Sequence, residues 1–302
     1  MRPDTLSDNP ASNSTQNYNG RTLAELILWG EEELKELGPA EARLNAEILL
    51  FEISGMDRTK LYLESSKILS PEKTESYRNL IAKRKNRIPL AYLTGRAHFW
   101  EETLEVNPGC LIPRPETEIL IESFLRHSGF SKDKTFSFLD LGSGSGAIGI
   151  ALLREFKNSR AAFCDISPDA LKVTANNICR YELGSRTEIF ISDLFHAFEG
   201  RKWDAIFSNP PYFAKVDWNW VEPEISYEPK TALNGGEDGL EFYRNIAKQA
   251  GNYLKPKGWL VLEMGIDQAP KVKELLAQNG FCNLGIFKDH GGIDRVIMAQ
   301  NG

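Results

Sequence analysis

The sequence predicts an α/β protein whose mostly parallel sheet carries helices on both faces, preceded by a small helical domain and a β-hairpin. Three observations support this fold class. Strand-like and helical segments alternate from Phe136 onwards, which is typical of parallel α/β sheets. Residues 21–88 instead show apolar residues at helical spacing. A chain of 302 residues also fits two domains, at roughly 100–200 residues each.

These patterns divide the chain into four segments. The N-terminal segment is polar and lacks an apolar core, so we expect it to be disordered. The predicted segments are a disordered tail at 1–20, a helical domain at 21–90, a β-hairpin linker at 91–112 and the α/β domain at 113–302.

The helical domain is marked by start and stop signals. Thr22 and Glu25 match a capping box, which begins a first helix. Pro39 opens a second helix after a glycine, and Pro71 opens a third after a serine cap. Pro89 ends the third helix, so this part of the chain is predicted to be a small bundle.

The linker combines aromatic residues with a turn signal. Tyr92, Phe99 and Leu104 belong to short apolar runs, and residues 107–109 read Asn-Pro-Gly. We therefore predict short strands that form a hairpin, with a turn at residues 107–109.

The α/β domain contains five strands followed by two late ones. Ligands of such sheets bind outside the carboxyl ends of the parallel strands, which is where chemistry is expected. The predicted strands are 136–141, 161–166, 187–194, 203–208, 258–264, 284–287 and 295–299, and the predicted helices between them are 147–156, 168–181, 240–254 and 269–279.

Composition excludes several classes of function. The formal net charge is −6, and neither the first 92 residues nor the remainder is basic, so no footprint for nonspecific nucleic-acid binding exists. The four cysteines form no CxxC pair and the histidines show no ligand spacing, so no metal site is predicted. No apolar run approaches the ~20 residues that span a bilayer, and the polar N-terminal segment does not predict a signal peptide. We expect a cytoplasmic protein that does not contact membranes.

The first strand ends in a glycine loop, DLGSGSGAIG, at 140–149. Glycines allow a tight turn and close approach of a ligand at the N-terminus of the next helix. Gly144, Gly146 and Gly149 also fit GxGxxG, so a dinucleotide cofactor is an alternative. Asp140 would repel a pyrophosphate, but it suits a ligand with a cationic group. The predicted cofactor-binding residues of this loop are Asp140, Gly142, Ser143, Gly144, Ser145 and Gly146.

The next two strands also end in acidic residues. Asp165 can accept hydrogen bonds from both hydroxyls of a ribose. Its alternative role is to cap the helix at Pro168, for which Ser167 is the better candidate. Asp193 could accept from an adenine amine, with Leu194 against the ring. An ordinary surface carboxylate remains the alternative for Asp193.

The fourth strand runs into the sequence SNPPYF at 208–213. Asn209 offers a carbonyl acceptor, while Pro210 and Pro211 lack N–H groups and stiffen the loop. Tyr212 supplies an aromatic face. Residues 209–212, called the clamp from here on, therefore suit a planar –NH2 group whose nitrogen must be aimed at an electrophile. The clamp alone does not distinguish a glutamine amide from a nucleic-acid base.

These motifs, in this order, resemble class I S-adenosylmethionine-dependent methyltransferases with a Rossmann-like fold. Further segments narrow the resemblance to the HemK/PrmC family of protein-(glutamine-N5) methyltransferases, which modify peptide chain release factors. They are RIPLAYLTGRAHFW (87–100), LIPRPETEILIE (111–122), YEPKTALNGGEDGLEFY (227–243) and DHGGIDRV (289–296).

The resemblance implies an enzyme that uses S-adenosyl-L-methionine to methylate the amide nitrogen of a release-factor glutamine. It implies catalytic roles for Asn209, Pro210 and Tyr212, with Pro211 in substrate binding and Asn209 also near the cofactor. It implies that the helical domain helps dock the release factor. A nucleic-acid amino methyltransferase, acting on adenine N6 or guanine N2, is the alternative. We expect a monomer without direct nucleic-acid contacts.

The PRPETE segment allows two interpretations. Pro115 can open a helix with Glu116 and Glu118 in its first turn, where acidic side chains favour the helix dipole. Alternatively, residues 114–117 line the mouth of the cofactor site.

Overall fold

The computed structural model describes residues 20–302. The chain divides into two compact units, one ending at Asn86 and the other running from Arg87 to Gly302. The predicted tail covers residues 1–20, of which 1–19 lie outside the described residues. Within residues 20–302, each helix is too short or too polar to cross a bilayer.

The first unit is a bundle of helices: α1 (Leu23–Glu33), α2 (Pro39–Ser54), α3 (Arg58–Leu63) and α4 (Pro71–Lys85). The predicted capping box is present, because the Glu25 carboxylate accepts from Thr22 N at 2.8 Å. The fully buried Tyr77 of α4 donates toward the carbonyls of Leu26 and Ala46, at 3.3 and 3.2 Å. This one hydroxyl therefore joins three helices of the bundle.

The second unit begins with α5 (Leu90–Thr94) and a hairpin of β1 (Arg96–Phe99) and β2 (Glu102–Glu105). The predicted hairpin exists, and so does the predicted turn after it, because Cys110 N donates to Asn107 O at 3.1 Å. The hairpin's own turn lies earlier in the chain, between β1 and β2. The chain reverses at Trp100, which has a left-handed φ of 56°. Tertiary hydrogen bonds hold Trp100 there: its main-chain N–H donates to Glu118 at 2.7 Å and its indole N–H to Glu155 at 3.0 Å.

The remainder of the second unit is a seven-stranded sheet in the order β5-β4-β3-β6-β7-β9-β8. The first five strands of that order are parallel, whereas β9 is antiparallel to both of its neighbours. This confirms the predicted α/β class. The strands are β3 (Ser137–Leu141), β4 (Arg160–Asp165), β5 (Thr187–Ile191), β6 (Trp203–Ser208), β7 (Leu254–Glu263), β8 (Phe281–Lys288) and β9 (Asp294–Asn301).

Helices cover both faces of the sheet because side chains alternate along each strand. Phe138 of β3 is buried in the core on one face, and its neighbour Leu139 is buried in the core on the other. The helices of the first face are α6 (Glu118–His127), α7 (Ala147–Glu155) and α8 (Pro168–Arg180), and those of the second are α9 (Glu241–Tyr253) and α10 (Ala269–Gln278). Because β3 to β7 pair in parallel, their carboxyl ends all lie at the same edge of the sheet.

Candidate active site

The carboxyl edge of the sheet borders a cavity of about 530 Å³. Small-molecule sites typically occupy roughly 300–1,000 Å³. The ends of β3, β4, β5 and β6 all contribute to its wall. The predicted residues that line it are Gly142, Gly144, Asp165, Asp193, Leu194, Asn209, Pro210 and Pro211. The other predicted residues pack behind this wall, and they are Asp140, Ser143, Ser145, Gly146 and Tyr212.

The glycine loop is shaped by its backbone and fixed by α8. Gly142 and Gly144 have φ values of 74° and 56°, which a side chain would strain. Thr174 donates to Gly144 O at 2.8 Å, and Asn177 Nδ2 donates to Ser145 O at 2.9 Å. Two side chains of α8 thus hold the loop in the conformation that borders the cavity.

Asp140 lies against the first turn of α7 and not in the cavity. Its fully buried carboxylate accepts from Gly149 N at 2.8 Å, and burial raises its pKa to about 7. A Cβ at Gly149 would lie 2.3 Å from the Phe163 ring. Gly149 is therefore required for close packing of α7 on β4. Among residues 20–302, no donor reaches Asp140 Oδ1.

Asp165 reaches the cavity from the end of β4. Its Oδ2 accepts from Gly144 N and its Oδ1 from Ser167 N, both at 2.9 Å. Burial raises its pKa, while these amides oppose that shift. Ser167 caps α8 as predicted, since its hydroxyl accepts from Ala170 N at 3.2 Å. Each Asp165 oxygen keeps a second lone pair for a ligand hydroxyl.

Asp193 and Leu194 follow β5 and also line the cavity. Asp193 is exposed, and Leu194 has a left-handed φ of 45°. Such a conformation is uncommon for a branched residue and often marks a functional site. Ser192 Oγ stabilises it by donating to Leu194 O at 2.9 Å.

The clamp begins at the end of β6. The buried Ser208 donates to Leu141 O at 2.6 Å, which fixes β6 against β3 just before the clamp. Asn209 Nδ2 donates to Thr117 Oγ1 at 3.2 Å. Within residues 20–302 no donor occupies Asn209 Oδ1, so the amide keeps a free acceptor beside the cavity.

Tyr212 is the last residue of the clamp, and its hydrogen bonds lie outside the cavity. Its hydroxyl donates to Glu263 Oε1 at 3.3 Å, and its carbonyl accepts from Gln268 Nε2 at 3.0 Å. Burial raises the pKa of Tyr212 well above its usual range. The phenol is therefore a neutral donor that anchors this end of the clamp.

Glycines further along the chain brace the clamp backbone. A Cβ on Gly235 would lie 2.8 Å from Tyr212 Cα and 2.9 Å from Pro211 O. A Cβ on Gly239, whose φ is 73°, would lie 2.4 Å from Tyr212 O. Gly235 N also donates to Phe213 O at 2.8 Å. The NGGEDG sequence thus permits close backbone contact with the clamp.

Parts of the cavity wall were not predicted. Residues 109–111, residues 229–232 and one face of α9 line it. Glu228 joins the first two of these segments, because its carboxylate accepts from Ile112 N at 3.0 Å and pairs with Arg114. Some of these residues belong to the segments that resemble the family, but they carry no local motif of their own. Composition and spacing therefore did not identify them.

The PRPETE segment does not line the cavity. Pro115 opens a short 3-10 turn that leads into α6. Thr117 is buried and contacts the clamp instead, by accepting from Asn209, while its own hydroxyl donates to Glu263 of β7.

Comparison with known proteins adds an independent observation. A profile of the PrmC N-terminal domain matches residues 25–95, and a profile of the methyltransferase small domain matches residues 115–236. The release factor glutamine methyltransferase of Geobacter sulfurreducens is 38% identical over 282 residues, covering 93% of this chain and 97% of that protein. That of Aquifex aeolicus is 36% identical, covering 89% and 94%.

Solved structures support the fold. A crystal structure of a methyltransferase from Pyrococcus furiosus superposes with a TM-score of 0.51 at 20% identity, covering 66% of this chain and 88% of that one. The sheet and these matches define a class I S-adenosylmethionine-dependent methyltransferase, as predicted. The chain belongs to the release factor glutamine methyltransferase family.

Proposed function

We propose that this enzyme methylates the side-chain amide nitrogen of a glutamine, of the GGQ type, in a peptide chain release factor. The observation that carries the proposal is the single cavity in which the free Asn209 acceptor, Pro210 and Pro211 are brought together with Asp165 and the glycine loop. The relatives named release factor glutamine methyltransferase support the choice of substrate.

The glycine loop and the side chains of Asp165, Asp193 and Leu194 fit S-adenosyl-L-methionine, the cofactor of this class. The loop glycines at 142 and 144 carry no Cβ that would hinder a ligand, and Asp165 has lone pairs for two ribose hydroxyls. Leu194 offers an apolar contact for adenine, with Asp193 beside it. When bound, the cofactor supplies a methyl group on a positively charged sulfur.

The clamp fits a primary amide. Asn209 presents its Oδ1, since its nitrogen is committed to Thr117, and the two prolines add no N–H that would compete. Holding both hydrogens of the –NH2 group aims the nitrogen and stabilises positive charge that develops on it. We propose that the carbonyl oxygens of Asn209 and Pro210 accept these two hydrogens. Pro211 shapes the loop, and Tyr212 contributes its aromatic ring while its hydroxyl anchors the clamp on Glu263.

The remaining assignments concern partners and domains. We propose that residues 21–90 dock the release factor, that the hairpin linker at 91–112 joins them to the methyltransferase domain at 113–302, and that the enzyme acts as a cytoplasmic monomer. The acidic net charge of −6 favours a protein substrate over the alternative of an adenine or guanine amine in nucleic acid.

The test is transfer of a labelled methyl group from S-adenosylmethionine to purified release factors and, in parallel, to DNA and RNA. We expect label on the release factor, lost when its GGQ glutamine is replaced by alanine. Label on nucleic acid alone would contradict the proposal.

A further inference from the structure

A buried carboxylate at the end of β7 contacts Tyr212 of the clamp directly and Asn209 through Thr117. Glu263 is 1% exposed and accepts from Thr117 Oγ1 at 2.5 Å and from Tyr212 Oη at 3.3 Å. Burying a carboxylate is unfavourable unless donors satisfy it. No part of the proposed reaction uses Glu263 directly, so its position requires another explanation.

The geometry of Thr117 determines how the Asn209 amide is turned. A threonine hydroxyl has one hydrogen to donate and lone pairs that accept. Because that hydrogen goes to Glu263, Thr117 Oγ1 can only accept from Asn209, and Asn209 must present its NH2 group to it. The Asn209 carbonyl oxygen is then left for the cavity.

We propose that Glu263 and Thr117 are positioning residues that hold Asn209 in the one amide orientation able to accept from a substrate –NH2 group. The proposal rests on the proposed function, since it assumes that Asn209 Oδ1 receives the substrate hydrogen. Glu263, Thr117 and Asn209 lie far apart in the sequence, so it is the folded structure that brings them into contact.

Protonation of Glu263 would reverse the direction of these hydrogen bonds. A protonated carboxyl donates to Thr117, Thr117 then donates to Asn209 Oδ1, and the free acceptor is lost. The groups facing Glu263 are Thr117, Tyr212, Tyr243 and Arg295, with Glu116 also near enough to raise its pKa. Burial is the main cause that raises this pKa to about 7, while Thr117, Arg295 and Tyr212 lower it. Activity should therefore be present above about pH 7 and fall as pH drops through it.

The test compares Thr117→Val, Thr117→Ser and Glu263→Gln with wild type. Thr117→Val keeps the shape but removes the acceptor, so we expect kcat to fall by about 10- to 100-fold through misorientation of Asn209. The KM for S-adenosylmethionine should stay within about twofold of wild type, as expected for loss of an interaction made in the transition state. Thr117→Ser restores the hydroxyl and should restore most of kcat.

Glu263→Gln removes the titrating group, so the fall in kcat below pH 7 should disappear from its pH profile. Thr187→Val and Glu274→Gln are matched controls, because both residues lie outside the cavity wall, at the start of β5 and on α10. Thermal unfolding and calorimetry with S-adenosylhomocysteine separate misfolding from mispositioning. Should Thr117→Val misfold, Thr117→Ser and the pH profile of Glu263→Gln decide the question.

The proposal is overturned if Thr117→Val matches wild type in kcat, or if Glu263→Gln keeps the acidic fall in activity. Inactive wild-type enzyme on every release factor would instead refute the proposed function, so the two failures are distinguishable.

Discussion

The two halves of the carboxyl edge are held in different ways. In the half formed by β3, β4 and β5, the cofactor loop is fixed by nearby residues, as when Thr174 holds Gly144 across 30 positions. In the half formed by β6 and β7, the clamp is fixed by residues that are distant in the sequence. Asn209 is 92 positions from Thr117, which is in turn 146 positions from Glu263.

This difference suggests a division of labour. The cofactor half needs a backbone shape, which glycines and two helix side chains provide. In the clamp half, the side-chain amide of Asn209 must be turned so that its oxygen faces the cavity. Backbone shape alone does not set that orientation, whereas the hydrogen bond from Asn209 Nδ2 to Thr117 does. Mutations in the first half should therefore alter cofactor affinity, and mutations in the second should alter turnover.

The largest expected effect is that of Asn209→Ala. Loss of the acceptor for the substrate hydrogen should lower kcat by about 100- to 1,000-fold, the range seen when one preorganised hydrogen-bonding group is removed. Calorimetry should show nearly unchanged affinity for S-adenosylhomocysteine. Full activity on the release factor would contradict the role of the clamp.

Asp165→Ala should have the next largest effect, confined to the cofactor half. Hydrogen bonds to a charged group contribute about 1.5–3 kcal/mol, so the KM for S-adenosylmethionine should rise by about 10- to 100-fold. Initial rates at saturating cofactor should be close to wild type. An Asp165→Ala enzyme with a normal KM for S-adenosylmethionine and a low kcat would show that the cofactor half also determines turnover.

Gly235→Ala tests the distant bracing of the clamp. Its new Cβ would lie 2.8 Å from Tyr212 Cα, and such overpacking costs about 1–3 kcal/mol. We expect a lower melting temperature and a reduced kcat with unchanged cofactor affinity. Gly184→Ala is the control, because no heavy atom beyond its chain neighbours lies within 4 Å of the added Cβ.

Tyr212→Phe should produce the smallest change. It removes one long hydrogen bond to Glu263 and keeps the ring, for a loss of about 1 kcal/mol. We expect kcat to fall by a few-fold at saturating substrate. A loss as large as that of Asn209→Ala would indicate that the hydroxyl itself touches the substrate.

The sequence predicted most of the fold because its signals are local. The strand predicted at 203–208 coincides with β6, and the cap at Ser167 was identified from neighbouring residues. The turn at 107–109 was predicted from its own residues. The reversal at the left-handed Trp100 was not predicted, because Glu118 and Glu155 stabilise it from elsewhere in the chain.

The candidate site was predicted in the same uneven way. Residues at or directly after strand ends, such as Asp165 and Asn209, were predicted because the carboxyl edge of a parallel sheet is a general binding position, and both line the cavity. Glu263 was predicted only as part of a strand, and Thr117 only as part of the PRPETE segment. Their hydrogen bond depends on tertiary packing, so spacing along the chain could not reveal it.

The most direct test of the central claim is fragmentation mass spectrometry of a release factor after incubation with S-adenosylmethionine and either wild-type enzyme or Asn209→Ala. We expect one methyl group on the side-chain nitrogen of the GGQ glutamine with wild type and almost none with the variant. Methylation of another residue type, or equal methylation by both enzymes, would contradict it.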